Sequence, residues 1–129
     1  MLRRKRRDQG LGPLGESLAA RFLEAKGWKI LARGYRALGA EIDLVASDGD
    51  EIVFVEVKAL RSAGHGFPEE RVEASKQRRI SRAAMAYVRK KRLQGANLRF
   101  DVVSVLMEGD EPKIAHYPEA FELHSAYDG

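Results

Sequence analysis

Cysteine is absent from this chain of 129 residues, so neither disulfide bonds nor thiolate metal sites are available to it. Amide side chains are scarce, with one asparagine and three glutamines, whereas 33% of the residues are charged. This combination is typical of proteins from hot environments. No apolar run reaches ten residues, and the stretch after the first basic residues lacks the hydrophobic segment of a secretory signal. We therefore expect a cytoplasmic protein with no membrane span.

The net charge of +4 comes entirely from the first ten residues, which carry five bases and one acid. The rest of the chain carries 18 bases and 18 acids, and these are segregated. Residues 41–56 hold six acids and no base, whereas residues 76–92 hold eight bases and no acid. We predict a basic flexible arm over 1–11, one domain over 12–123 and a short tail over 124–129.

Hydrophobic periodicity predicts the order α, β, β, β, α, β, β, with the first helix ending at Gly27. This order predicts an α/β (α+β) fold in which helices pack on the faces of a mixed sheet. The predicted helices span 14–26 and 75–93, the predicted strands span 28–33, 41–46, 52–59, 98–107 and 113–117, and loops are expected over 34–39 and 61–68.

The second and third predicted strands form a hairpin whose register follows from their hydrophobic pattern. One register makes every pair on one face apolar, whereas a slip of one residue would mix the two faces. The apolar pairs are Ile42 with Val57, Leu44 with Val55, and Ala46 with Val53. The same register places Asp43 directly opposite Glu56, with their Cβ atoms about 5 Å apart, and such like-charge pairs normally destabilise a sheet.

A divalent cation between these two carboxylates would offset the repulsion. Mg²⁺ (or Mn²⁺) prefers carboxylate oxygens and leaves coordination positions open to water and phosphate. Lys58 lies two residues beyond Glu56 on the same strand face, where it could position or help deprotonate an attacking water. Asp43, Glu56 and Lys58 together predict the chemistry of metal-assisted phosphodiester hydrolysis.

Asp43, followed thirteen residues later by Glu56-Val57-Lys58, resembles the motif of the PD-(D/E)xK nuclease superfamily. A longer stretch, from Leu14-Gly15-Glu16 through AEIDLVASDGDEIVFVEVKA to RFDVVSV and HYPEAF, resembles the YraN-like family of predicted endonucleases. That family is similar to archaeal Holliday junction resolvases. The resemblance implies a restriction-endonuclease-like fold, a Mg²⁺- or Mn²⁺-dependent endonuclease, and branched or structured DNA as its substrate. Since resolvase-like nucleases that cut paired strands commonly dimerise, it also implies a homodimer as the first oligomeric state to test.

The resemblance assigns roles to individual residues. It implies that Asp43 and Glu56 are metal ligands and that Lys58 is the catalytic lysine. It also implies that Glu16, on the first helix, is an auxiliary acid. Lys76 matches a family lysine that lies after the loop, which implies a contact with phosphate.

The basic segment over 76–92 carries more positive charge than solubility requires, so it predicts contact with nucleic-acid phosphates, DNA being the expected partner. The candidate phosphate contacts are Arg61, Lys76, Arg78, Arg79 and Arg82. Leu38, Phe67 and Trp28 could stack on bases, but none is assigned as a ligand, because a single tryptophan after a helix is usually core packing.

Other interpretations stay open at this point. A non-catalytic nucleic-acid-binding module would retain the hairpin as part of its fold, and a cytosolic adaptor would use the basic helix to contact an acidic protein. The hairpin could also present a solvated face on which Glu41 and Lys58 form an ordinary ion pair. The histidines are too scattered to predict a metal cluster and are expected in loops or at the surface: His65, His116 and His124.

Overall fold

The computed structural model describes residues 11–61, 72–107 and 109–122. Within these residues, two helices and five strands follow one another in the predicted order. None of the described helices is both long and apolar enough to cross a membrane. Predictions that concern the basic arm, His65, Phe67 or His124 lie outside these residues. The elements are α1 (Leu11–Ala25), β1 (Lys29–Ala37), β2 (Ala40–Asp48), β3 (Glu51–Leu60), α2 (Ala74–Lys90), β4 (Asn97–Leu106) and β5 (Lys113–Phe121).

The five strands form one sheet in the order β1-β2-β3-β4-β5. The pairs β1–β2, β2–β3 and β4–β5 are antiparallel, because short connections reverse the chain between them. The pair β3–β4 is parallel, since the longer connection through α2 returns the chain to the same end of the sheet. The mixed sheet confirms the predicted fold class.

Side chains that alternate along β3 divide the core into two layers. Ile52 and Phe54 pack with α2 on one face, whereas Val53 and Val55 pack with α1 on the other. Both faces of the central strands are therefore covered, which explains their nearly continuous hydrophobic sequence. The helices contribute four alanines and four larger hydrophobic side chains to the core: Ala19, Ala20 and Leu23 from α1, and Ile80, Ala83, Ala84, Tyr87 and Val88 from α2.

The first strand is longer than predicted, and the loop expected over 34–39 is wrong. β1 continues through Gly34, which has a φ of 59°, to Ala37. Tyr35 lies in this additional part of the strand and packs edge-on against Tyr87 of α2, with 5.1 Å between the ring centroids. The cross-strand pairing and this aromatic contact therefore offset the cost of a glycine within a strand.

A buried carboxylate joins the last two strands. Asp101 accepts two hydrogen bonds from the Arg99 guanidinium, one from His116 Nε2 at 2.7 Å and one from the backbone N–H of Glu119 at 3.0 Å. Burial alone would raise the pKa of Asp101, but these hydrogen bonds outweigh it and hold the pKa below its ordinary value. The expectation that His116 lies in a loop or at the surface is wrong, because its ring serves this buried carboxylate. Trp28 contacts the same ring edge-on and is core packing, as predicted.

Candidate active site

The predicted hairpin register is observed only up to the point where β2 and β3 separate. Paired residues run from Asp48 and Glu51 to Leu44 and Val55, and the ladder ends there. The predicted pairs of Leu44 with Val55 and of Ala46 with Val53 are confirmed, but Asp43 does not continue the pairing. Lys58 and Glu41, the ion pair considered from the sequence, lie beyond the end of this ladder, and Glu41 contacts Arg36 at 3.5 Å.

Beyond the end of the ladder, the side chain of Asp43, and not a backbone carbonyl of β2, accepts a hydrogen bond from the backbone of β3. Its Oδ2 atom accepts a hydrogen bond of 2.8 Å from the backbone N–H of Val57. Ile42 and Leu44 then pack on opposite faces of the sheet, although residues two apart in a regular strand share a face. The prediction that Ile42 faces Val57 is therefore wrong, because the backbone of β2 departs from regular pleating where Asp43 binds β3.

Glu56 and Lys58 lie on the face of β3 that packs against α2. They continue the alternation of Ile52 and Phe54, since Val53, Val55, Val57 and Ala59 all contribute to the opposite layer. The Glu56 side chain is only 12% exposed, and its Oε2 atom accepts a hydrogen bond of 2.6 Å from Lys76 Nζ of α2. Lys76 thus belongs to the site itself.

Lys58 is half-buried and pairs in register with Ser104 of the parallel strand β4. Ser104 is fully buried, and its Oγ atom has no hydrogen-bond partner among the residues that the structure describes. A buried hydroxyl without a partner is costly, so its position beside the predicted catalytic lysine marks it as a candidate site residue. It was missed in the sequence, where the only signal is one polar residue within the apolar run of β4.

A close contact between α1 and β3 brings Glu16 to the same place. A Cβ atom at Gly15 would lie 2.8 Å from the Cβ of Ala59, so only glycine permits this approach. The next residue, Glu16, hydrogen-bonds with Asp43 and also experiences the charges of Glu41 and Glu56. Burial and the charge of Glu41 raise the pKa of the Glu16 carboxyl above its ordinary value.

The electrostatics of the cluster centre on Asp43. Burial and the negative charge of Glu56 raise the pKa of the Asp43 carboxyl to about 8, although the hydrogen bond from Val57 and the charge of Lys76 act in the opposite direction. The three carboxylates that converge here therefore lack sufficient positive charge from the protein. Such a site favours a proton or an added cation.

The donor chemistry suits a hard divalent metal ion. Among the described parts of the chain, no group of three carboxylate or imidazole side chains is arranged to hold a metal on its own. The fit is instead to an ion that needs only one or two carboxylates and retains water, as Mg²⁺ does. Asp43 and Glu56 are the residues that would hold it.

An open cleft of about 210 Å³ contains these residues. Asp43 and Glu56 form part of its lining, and Lys76 and Arg79 of α2 form the basic side. Arg78 and Arg82 are exposed on α2, and the structure places Arg61 at the exposed end of β3. The charge of a further cation, Arg33 of β1, partly offsets the raised pKa of Glu16. Nothing in the local sequence of Arg33 indicates that it lies near the site.

The sequence model described as "Uncharacterised protein family UPF0102" matches residues 15–105 of this chain. The chain is similar to the UPF0102 protein of Geobacter metallireducens, with 49% identity over 116 residues that cover 90% of this chain and 95% of that protein. It is also 46% identical to the UPF0102 protein of Geobacter sulfurreducens, over 88% of this chain and 89% of the relative. The UPF0102 protein of Rhodococcus opacus is 45% identical over 86% of this chain and 95% of its own length.

Proposed function

The chain belongs to the UPF0102 (YraN) family, and from its site geometry we propose that it is a divalent-metal-dependent endonuclease that hydrolyses phosphodiester bonds in DNA. The observation that carries the proposal is the convergence of Asp43, Glu56 and Glu16 where β2 and β3 separate. A set of carboxylates that raises the pKa of Asp43 to about 8 is electrostatically unfavourable without a cation.

Each residue has a task in the proposed reaction. Asp43 and Glu56 would hold the metal, and a bound Mg²⁺ would supply charge neutralisation at the phosphate and activation of water. Asp43 is held in place by the Val57 amide, so its orientation does not depend on the ligand. Lys58, which follows Glu56 on the same face of β3, would orient the attacking water or take up its proton.

The basic side of the cleft serves the substrate. Arg79 faces the same space as the carboxylates and would bind a phosphate adjacent to the cleaved bond. Lys76 compensates Glu56 at 2.6 Å and would exchange this partner for phosphate when the site is filled. Glu16 lies beside Asp43, and it would be available to take up a proton in the proposed reaction.

Calorimetric titration with Mg²⁺ and with Mn²⁺ tests the metal site directly. We expect heat of binding for the parent protein, and its loss in Asp43→Ala and Glu56→Ala. The control Asp50→Ala removes a carboxylate from the exposed turn between β2 and β3 and should bind as the parent does. Equal binding by all four proteins would remove the metal from the proposal.

Cleavage of a panel of linear, flapped and four-way DNA tests the enzyme. We expect cleavage that requires the divalent ion and is lost in Lys58→Ala. The control Lys29→Ala removes an exposed lysine at the opposite end of the sheet, where Lys29 pairs with Ser47, and should retain activity. Cleavage by Lys58→Ala at the parent rate would contradict the role given to this lysine.

The Lys76–Glu56 ion pair supports a second candidate function. An ammonium group already compensates one of the two carboxylates, as would be expected if the fold were retained for nucleic-acid binding without catalysis. This module would bind DNA in the presence of a range of divalent ions but cut none of the substrates. The same panel therefore separates the two functions.

A further inference from the structure

The turn between β1 and β2 contains a leucine in an unfavourable backbone conformation. Leu38 has a φ of 51° and Gly39 a φ of 80°, and the flanking residues Ala37 and Ala40 pair with each other. Two-residue hairpin turns with both central residues at positive φ strongly favour asparagine or aspartate before glycine. Leucine has no side-chain hydrogen bond with which to stabilise this conformation, so its presence needs another reason.

The Leu38 side chain is also the most exposed large hydrophobic group in the part of the chain that the structure describes. It is 63% exposed, compared with 45% for Leu14 and 43% for Leu31. Its burial therefore contributes little to the folded state, and its conformation is strained. A residue that is unfavourable on both counts in the free protein is a candidate for contact with a ligand.

The position of the turn indicates which kind of ligand Leu38 would contact. Gly39 and Ala40 line the cleft that holds Asp43 and Glu56, and Leu38 itself borders an adjoining open cavity of about 480 Å³. Arg36, with a side chain that is 72% exposed, lines that second cavity. The apolar side chain of Leu38 thus lies at the rim of the carboxylate cleft, beside Arg36, a cation that could bind a phosphate.

We infer that Leu38 is a wedge that enters between two adjacent bases of the nucleic acid bound in the cleft. The inference rests on the proposed function, since it requires nucleic acid at Asp43 and Glu56. Apolar side chains that unstack a base step are a known means of deforming DNA. Insertion of Leu38 into a continuous duplex costs the full free energy of unstacking a base step. At a branch, nick or flap, stacking is already interrupted, so insertion there costs little. Leu38 would therefore contribute about a tenfold preference for interrupted over continuous duplex.

Binding of DNA that carries 2-aminopurine tests the wedge without any requirement for cleavage. The fluorescent base is placed beside a flap junction or in the centre of a continuous duplex, and binding is measured in a chelator. For the parent protein we expect increased fluorescence at the flap junction, as the base loses its stacking partner, and tighter binding to the flap than to the duplex.

Two substitutions at the turn separate the wedge from a role in folding. Leu38→Asn suits the left-handed conformation, so it should fold at least as stably as the parent but lose the fluorescence increase and about tenfold of the flap preference. Leu38→Met keeps an apolar side chain and should retain both. The control Leu31→Asn removes a different exposed leucine, which lies within β1 and away from the turn, and should behave as the parent does.

The outcomes distinguish failure of the wedge from failure of the enzyme. Unchanged fluorescence and preference in Leu38→Asn would overturn the wedge and leave the nuclease proposal intact. A parent protein that unstacks the flap base but never cleaves DNA would support the wedge and contradict the nuclease. A parent protein that binds none of the DNA substrates in the chelator would overturn the wedge, and the metal-dependent cleavage assay then decides the nuclease separately.

Discussion

At the scale of single residues, the described part of the chain contains two carboxylates with opposite electrostatics, the buried Asp101 and the partly buried Asp43. Asp101 is surrounded by donors from Arg99, His116 and Glu119, whereas Asp43 has one backbone donor and two acidic neighbours. The first arrangement lowers a carboxyl pKa and the second raises it. Fully satisfied buried charge is typical of structural groups, and an unsatisfied carboxylate in a cleft is typical of functional ones.

Asp43→Asn is expected to stabilise the metal-free protein at alkaline pH. A carboxyl whose pKa rises from 3.8 to about 8 on folding binds more protons in the folded state between these values, so the stability falls as the pH rises through this range. The amide retains an oxygen for the Val57 N–H but carries no charge, and the gain should be about 1–3 kcal/mol at pH 8. Urea unfolding at pH 5 and pH 8 in a chelator measures it.

The exposed turn residue Asp50 provides the control for this experiment. Asp50→Asn removes the same charge outside the cluster and should change the free energy of unfolding by less than about 0.5 kcal/mol. A loss of stability in Asp43→Asn at pH 8 would contradict the electrostatic account of the site.

Asp101→Asn is expected to have the opposite effect and to destabilise the protein by about 3 kcal/mol at neutral pH, because it removes the charge that Arg99 and His116 surround. Folding lowers the pKa of Asp101 below its ordinary value of 3.8. Its contribution to the free energy of unfolding is therefore fully present at pH values above 3.8 and is lost as the pH falls through the lower pKa of the folded state. Unfolding midpoints at pH 7 and pH 3 should therefore differ less in the variant than in the parent. Equal stability of the two proteins at pH 7 would contradict the structural role.

At the scale of secondary-structure elements, the site depends on how closely α1 approaches the sheet. Gly15 permits contact between the backbone of α1 and Ala59 of β3, and the adjacent residue Glu16 reaches Asp43 as a result. β2 shapes the site by moving away from β3, and this separation opens the space that the carboxylates occupy. One close contact and one separation thus define the cleft.

Gly15→Ala is expected to destabilise the protein by about 1–3 kcal/mol, although alanine favours a helix. The added Cβ would lie 2.8 Å from Ala59, so α1 must shift away from the sheet. Gly12→Ala is the matched control, because the same helix has open space at that position and the substitution should be neutral or slightly stabilising. Chemical denaturation of both variants tests this, and equal free energies of unfolding would show that the helix tolerates the displacement.

At the scale of the whole molecule, segregated charge is the main feature. The acids of β2 and β3 and the bases of α2 lie next to each other across the cleft, although the body of the chain is neutral overall. A field of this kind attracts a phosphate backbone to one edge of an acidic metal site. Affinity for nucleic acid should consequently depend steeply on salt concentration.

The double variant Arg79→Gln/Arg82→Gln should lower the dependence of log affinity on log salt concentration by about 1.8, since each lost phosphate contact on duplex DNA contributes about 0.9. Arg21→Gln/Lys29→Gln removes the same charge from exposed positions on α1 and β1 and should change this slope much less. Fluorescence anisotropy over a salt series measures both. Equal slopes for the two variants would place the nucleic acid on a different surface.

Much of this architecture follows from the sequence alone. Periodicity predicts the order of the elements, and the apolar alternation of Leu44, Ala46, Val53 and Val55 selects the observed register, because a shifted strand would expose its core face. The resemblance of the longer stretch to the YraN-like family is confirmed, since the chain belongs to UPF0102. The resemblance implies a role for Glu16 as an auxiliary acid, and α1 does bring Glu16 close to Asp43.

Other features depended on contacts between distant parts of the chain. Local periodicity gives no sign that the Asp43 side chain accepts a hydrogen bond from the Val57 amide, that Lys76 compensates Glu56, or that a buried Ser104 lies beside Lys58. The sequence by itself determined the order of the elements, the hairpin register from the turn to Leu44 and Val55, and the acidic motif, because these arise from the spacing of residues near one another in the chain. Only the tertiary structure decided the shape and charge of the cleft, because burial and electrostatic coupling exist only once α1, α2 and the sheet pack together.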